Sequence, residues 1–197
     1  MHDRQCLYYK QDCDTWTVVG VYVDDLLVTG TKQSAVDDFF VGLKTLSIKD
    51  IGVVKKFLGL WISLDDSRGY VLDQEVMIDA LLRDYKLESA NGVRTPIGDE
   101  CNADDDNEPE FLPASGPSGK PGLSSFQSLV GSLLWNARCT RPDICFAVHK
   151  ATCQTHKPTI KNWKMAKRIA RYMKMSKGLK LHLNGARPIH EEIKIEC

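Results

Sequence analysis

Apolar residues over the first seventy positions come in short runs of β-branched and aromatic side chains broken by polar turns, the pattern of β-strands. Positions 7–10 and 15–22 predict two strands joined by the turn Gln11-Asp12-Cys13-Asp14, and 26–29 predicts a third. Between the second and third stands one carboxylate pair, Asp24-Asp25, between the greasy stretches Val18-Val19-Gly20-Val21-Tyr22-Val23 and Leu26-Leu27-Val28-Thr29. The pair predicts the bend of a β-hairpin, because Asp tolerates turn conformations and Val does not. Neighbours on a straight strand point to opposite faces, whereas at a bend both carboxylates can reach one side.

Beyond the hairpin the period changes. Val36, Phe39, Phe40, Leu43 and Leu46 fall at helical spacing and predict a helix over 35–46 with Ser34 as its cap. Positions 56–64 predict a strand, 65–69 a turn, and 70–72 its partner strand. Asp65-Asp66 is also an acidic pair, but its Ser/Arg/Gly-rich setting predicts ordinary solvated carboxylates. Asp73 caps a predicted helix over 74–85. Ser124 opens a helix to 139, Pro142 sits near the first turn of another over 144–155, and Thr159 caps a last one over 160–174. The fold class is therefore α/β (α+β): an antiparallel sheet with packed helices, then a mainly helical C-terminal region. The expected organisation is 1–96 for the sheet and the first helical elements, 97–123 for a linker, 124–183 for the helical region, and 184–197 for a tail without a matching pattern.

Charge changes this picture more than composition does. Equal numbers of Lys+Arg and Asp+Glu, 26 each, make the total uninformative about partners. The distribution is lopsided. Asp99, Glu100, Asp104, Asp105, Asp106, Glu108 and Glu110 fall between 99 and 110 with no Lys or Arg among them, whereas 150–180 holds ten Lys or Arg and no carboxylate. Such asymmetry points to a polyanion partner or to an acidic loop masking a basic face. Seven cysteines without paired spacing suggest neither a disulfide framework nor a zinc ribbon, and they favour a reducing intracellular compartment, cytoplasm or nucleus. His149, Cys153 and His156 lack an evident fourth metal ligand and read as packing. No apolar run is long enough for a membrane span, so no membrane partner is expected.

Two features carry candidate chemistry. Adjacent carboxylates at the end of an apolar hairpin favour a divalent cation with oxygen ligands, Mg²⁺ or Mn²⁺, at Asp24 and Asp25. On the last predicted helix, Lys161, Lys164, Lys167, Arg168, Arg171 and Lys174 project within an arc of roughly 140°. That stripe is suited to nucleic-acid phosphates and is equally compatible with a solvated face.

The string Tyr22-Val23-Asp24-Asp25 resembles the Tyr-x-Asp-Asp hairpin in the palm of reverse transcriptases, and its flanks resemble the copia-type LTR retrotransposons. The resemblance extends in order through Phe57-Leu58-Gly59, Gly69-Tyr70-Val71-Leu72-Asp73-Gln74, Thr95-Pro96, Leu129-Val130-Gly131-Ser132-Leu133-Leu134, Thr140-Arg141-Pro142-Asp143-Ile144 and Trp163 with Ala166-Lys167-Arg168-Ile169. It implies the second half of a palm followed by a thumb- or connection-like region of a polyprotein. It also implies templated DNA synthesis with Asp24 and Asp25 as catalytic metal ligands for two ions. Tyr22 would lie beneath the primer end, with template-primer and deoxynucleoside triphosphates as partners. The family's third metal-binding Asp and its fingers belong to a segment before Met1, so the chain by itself is expected to be inactive. A non-enzymatic nucleic-acid-binding remnant and a decayed, functionless fragment are the alternatives.

Overall fold

The computed structural model describes residues 7–46, 48–65, 69–98, 109–114 and 121–184. The acidic stretch 99–108 and the tail from 185 onward lie outside them. The chain divides into two compact units, Met1–Val71 with His182–Cys197, and Leu72–Leu181.

In the first unit, β1 (Leu7–Asp12), β2 (Thr15–Tyr22) and β3 (Asp25–Gly30) form an antiparallel sheet in that order. Alternation decides its faces. Val19 pairs with Val28 and Val21 with Leu26, and the helix α1 (Gln33–Gly42) lays Val36, Phe39 and Phe40 over them. Gly30 lets the chain leave the sheet so closely, because a Cβ there would sit 2.9 Å from the Trp16 carbonyl oxygen and 3.2 Å from Val36 Cγ2. Thr31 then ties the exit down: its N–H donates to Trp16 O at 2.9 Å, and its Oγ1 accepts from Trp16 N at 3.0 Å. The helix is shorter than the expected 35–46, and its N-cap is Lys32 without a side-chain bond rather than Ser34.

A second sheet runs β4 (Lys56–Phe57), β5 (Leu60–Asp65), β6 (Gly69–Asp73) and β7 (Leu181–Leu183). The sequence pattern had joined 56–64 into one strand. Instead Leu58 and Gly59 make a two-residue turn with φ of 50° and 82°, so Phe57 faces Leu60 across a tight hairpin. Two consecutive left-handed residues make one of the two turns favoured in two-residue hairpins, and Gly59 supplies one at no steric cost. Strand β7 carries no period long enough to have been foreseen.

The second unit holds α2 (Glu75–Asp84), α3 (Leu123–Cys139), a 3-10 turn (Pro142–Ile144), α4 (Cys145–Thr152) and α5 (Ile160–Met175). Phe126, Leu129, Val130 and Leu133 from α3 meet Ile78, Leu81 and Leu82 from α2 and Met165, Ile169 and Met173 from α5 in one core. Thr159 starts α5 as expected, in a capping box: Thr159 N donates to Asn162 Oδ1 at 2.8 Å, and Asn162 N donates to Thr159 Oγ1 at 3.3 Å.

The turn between α3 and α4 buries a charge. Arg141 is 1% exposed, and its guanidinium donates twice to Asp143, Nε to Oδ1 at 2.9 Å and Nη2 to Oδ2 at 2.8 Å. It also donates to the carbonyl and hydroxyl of Ser176 and lies 5.7 Å from the Tyr172 ring centroid. Next to it, Thr140 Oγ1 donates to the buried Gln74 Oε1 at 2.5 Å, joining this turn to the start of α2. Burial would raise the Asp143 carboxyl, but hydrogen bonds from Arg141 and Tyr172 outweigh it and hold the carboxyl below its ordinary value. A carboxylate lowered in the folded state contributes stability above its unfolded value near pH 4, and that contribution is lost as pH falls through the folded value. Asp143→Ala, which leaves Arg141 buried without its carboxylate, is expected to cost about 3 kcal/mol at neutral pH. Urea unfolding followed from neutrality to acid should show the gap to wild type closing below about pH 4. A gap independent of pH would separate the effect from the ion pair.

Candidate functional site

The β2–β3 hairpin is closed by Tyr22 opposite Asp25, so its two turn residues are Val23 and Asp24. This corrects the expected bend at Asp24-Asp25: the turn lies one residue earlier, and Asp25 is the first residue of β3. Val23 takes φ of 55° and is 82% exposed. A β-branched residue in the left-handed region is strained by about 1–3 kcal/mol. Directly opposed residues share a face, so Asp25 stands with the half-exposed Tyr22, on the side away from Val21, Leu26 and α1. Asp24 projects from the turn itself.

Asp24 and Asp25 both line an open cleft of about 720 Å³, whose other wall is the β4–β5 turn with Lys56, Phe57, Leu58 and Gly59. Leu26, Phe40 of α1, Ile48, Lys49 and Ile51 line it as well. Both carboxylates are exposed, and no hydrogen bond or ion pair engages either of them among the described residues. Adjacent, solvent-facing, unpaired carboxylates are the hard-oxygen donor set that suits Mg²⁺ or Mn²⁺. No group of three or more His, Cys, Asp or Glu side chains gathers among the described residues, so the pair offers two acidic ligands. Lys49, Lys56 and the Leu58-Gly59 turn were missed from the sequence. The signal was Gly59 inside an otherwise apolar run, which marks a break in a strand.

The basic stripe does form one side of α5, but at least half of it is engaged. Arg168 donates to Thr95 O at 3.2 Å and Thr95 Oγ1 at 3.1 Å, Arg171 to Asn91 O at 2.6 Å, and Lys174 to Glu88 O and Ala90 O. These cations hold the backbone of 88–95 against the helix. Lys164 is exposed and Lys167 half-buried, with no partner for either among the described residues. Lys161 is half-buried near the helix start. His149 Nε2 and Cys153 Sγ, both exposed, stand 3.9 Å apart at the end of α4 and gather no further ligands among the described residues. Asp65 ends β5, whereas Asp66 lies outside the described residues.

A family model described as reverse transcriptase (RNA-dependent DNA polymerase) matches residues 2–99, which include the whole cleft. The retrovirus-related Pol polyprotein from transposon TNT 1-94 of Nicotiana tabacum is 30% identical over 187 residues, covering 93% of this chain and 14% of that protein. The chain belongs to the copia-type reverse transcriptases. An uncharacterized mitochondrial protein of Arabidopsis thaliana is 33% identical over 168 residues, 83% of this chain and 65% of its own length. The retrovirus-related Pol polyprotein from transposon RE2 of the same plant is 29% identical over 154 residues, 78% of this chain and 10% of that polyprotein. The chain thus spans a small part of the two transposon polyproteins. No solved structure matches it. No described helix is long and apolar enough to cross a membrane.

The strained turn yields a prediction about the stability of the chain. Asn enters the left-handed region more readily than Val and lacks the backbone entropy of Gly. Val23→Asn, on an exposed turn with nothing packed over it, is expected to stabilise the chain by about 0.5–1 kcal/mol. An unchanged or lowered urea midpoint would mean that the Val23 side chain makes a compensating contact.

Proposed function

We propose that this chain supplies the metal-holding part of an RNA-directed DNA polymerase site. The observation that carries the reading is the cleft shared by Asp24, Asp25 and the β4–β5 turn. Asp24 and Asp25 would hold divalent ions, Mg²⁺ or Mn²⁺. When two such ions are bound, they stabilise the charge that develops between an attacking primer 3′ oxygen and the incoming deoxynucleoside triphosphate. Tyr22, on the Asp25 face, offers an aromatic surface for the primer terminus. Lys49 and Lys56 place cations on the opposite wall, where phosphates of a template-primer can be steadied. Positioning dominates such catalysis, and two carboxylates leave most positions of an ion to water. The 197 residues alone are therefore read as incomplete for polymerisation.

Mn²⁺ titration tests this directly. Paramagnetic line broadening should centre on Tyr22 to Leu26 and on Lys56 to Gly59, with weak affinity, and Asp24→Asn should diminish it. Broadening centred on Asp65 and its neighbours instead would sink the assignment. Primer extension on poly(rA)–oligo(dT) should stay at background. Extension abolished by Asp24→Ala would overturn the reading of incompleteness.

A second reading, a non-enzymatic nucleic-acid-binding remnant, is favoured by the carboxylate-free surface of α5. Each neutralised phosphate contributes about −0.9 to the slope of log K against log salt. Six cations acting together would give a slope of about −5. With Arg168, Arg171 and Lys174 turned to the 88–95 backbone, duplex binding through Lys164 and Lys167 should show about −2. Lys164→Glu with Lys167→Glu should abolish the α5 contribution. A slope near −5 for wild type would mean that the strap of 88–95 releases its three cations on binding.

A further inference from the structure

We infer that the groove between the outer part of the first sheet and α1 is a binding site for a free aromatic amino acid. The groove measures about 520 Å³, a size usual for small-molecule sites. Its floor follows from strand pairing. Val19, whose side chain meets α1, stands opposite Tyr8. On the same face Thr17 stands opposite Lys10, and Thr15 opposite Asp12. Its wall is one side of α1, where Ala35, Asp38 and Phe39 recur at helical spacing. The short side chains of Thr15, Thr17 and Ala35 leave the space open between floor and wall.

Two observations ask for an anion at one end of the groove. Thr17 is only 9% exposed and lines the groove, yet its hydroxyl makes no hydrogen bond among the described residues. A buried hydroxyl ordinarily has a partner, and the open side here is the groove. The start of α1 adds to this. Thr31 is tied to Trp16, which brings Lys32, the N-cap of α1, to the Thr17 end. Lys32 makes no side-chain capping bond, and no carboxylate lies in the first turn, so the helix start favours negative charge. Asp12 and Asp38 line the same groove and supply the opposite sign. None of Lys10, Lys32, Asp12 and Asp38 has an ion-pair partner among the described residues. Two cations with two carboxylates select a ligand carrying both charges. A polyphosphate would set several negative charges against Asp12 and Asp38, so the occupant differs from a nucleotide. Seven residues along α1, about 10 Å on, the groove ends on Val19, Tyr8 and Phe39. An amino acid fits both ends: its carboxylate accepts from Thr17 beside Lys32, its ammonium meets Asp38 and Asp12, and its ring packs on Phe39 and Tyr8. The proposal stands apart from the metal-holding cleft, because the two share no lining residue.

Titration with L-phenylalanine, followed by amide chemical shifts, tests it on the full chain. Shifts should centre on Thr15 to Val19 and on Ser34 to Phe39, with millimolar affinity. Phenethylamine, which lacks the carboxylate, and phenylpropionate, which lacks the ammonium, should each bind about tenfold more weakly. Variants assign the two charges. Thr17→Val keeps the side-chain volume, and it should weaken phenylalanine and phenylpropionate about tenfold while leaving phenethylamine unchanged. Asp38→Asn, on the exposed side of α1, should weaken phenylalanine and phenethylamine while leaving phenylpropionate unchanged. Circular dichroism verifies that both variants fold. Absence of shifts up to the solubility limit overturns the proposal, as do shifts centred on Asp24 and Asp25. Equal binding of either single-charge analogue overturns it too, since one set of charges then has no role. N-acetyl-phenylalanine amide binding as tightly as the free amino acid overturns it in favour of a peptide segment.

Discussion

A two-residue connection between β2 and β3 leaves no slack in the hairpin, and the chemistry of the first unit follows from that constraint. Tyr22 must face Asp25, Val21 must face Leu26, and Val19 must face Val28. The last two pairs point at α1 and make the small core with Val36. The first pair therefore points the other way. Asp25 stands beside an aromatic ring and Asp24 leaves the turn, and both border a cleft whose lining also includes Leu26, Phe40 and the β4–β5 turn. The cost falls on Val23, held at φ 55°. Strain of this kind persists where the surrounding pairing over-determines the backbone. Here six consecutive pairs between β2 and β3 do so.

That constraint explains why the turn was misplaced by one residue from the sequence. Side-chain preference puts Asp at a bend and Val in a strand, and it is the only local information available. A bend at Asp24-Asp25 would slide β3 by two positions. The faces would be kept, because the period of a strand is two, but Val19 would lie opposite Gly30 instead of Val28. The observed register pairs two large apolar residues under α1 and leaves Gly30 beside Thr17, where Trp16 O and Val36 need the space. Tertiary packing outweighed a turn preference. The same competition split the 56–64 run, whose composition is that of a strand throughout except at Gly59.

Elements with a strong period were legible. β2 and the helices α3 and α5 begin and end within a residue of where their patterns place them, and Thr159 caps α5 by the mechanism its side chain suggests. Asp24 and Asp25 were legible as a pair because apolar runs flank them on both sides. Their companions in the cleft were not. Lys49, Lys56 and Leu58 are at least 24 positions away in sequence, and nothing in their local composition distinguishes them from ordinary surface residues. The buried state of Arg141 was equally hidden, since Arg beside Pro142 and Asp143 looks like a polar loop. Only the bidentate contact with Asp143 and the bonds to Ser176 make its burial tolerable.

The basic helix shows why counting charges on a helical wheel overstates a binding face. A wheel gives directions around the axis but not what lies in each direction. Arg168, Arg171 and Lys174 sit on one end of the stripe, and the chain after α2 passes there with its carbonyls turned inward. Those carbonyls accept hydrogen bonds but carry no net charge, so the field of the helix survives while the geometry for phosphate contact is lost at three positions. Long-range attraction and close contact are thereby separated. The field can raise the rate of encounter with a polyanion, yet stable contact must come from side chains without a backbone partner among the described residues, which on α5 include Lys164 and Lys167. A surface of this kind favours loose, sequence-independent association over tight recognition.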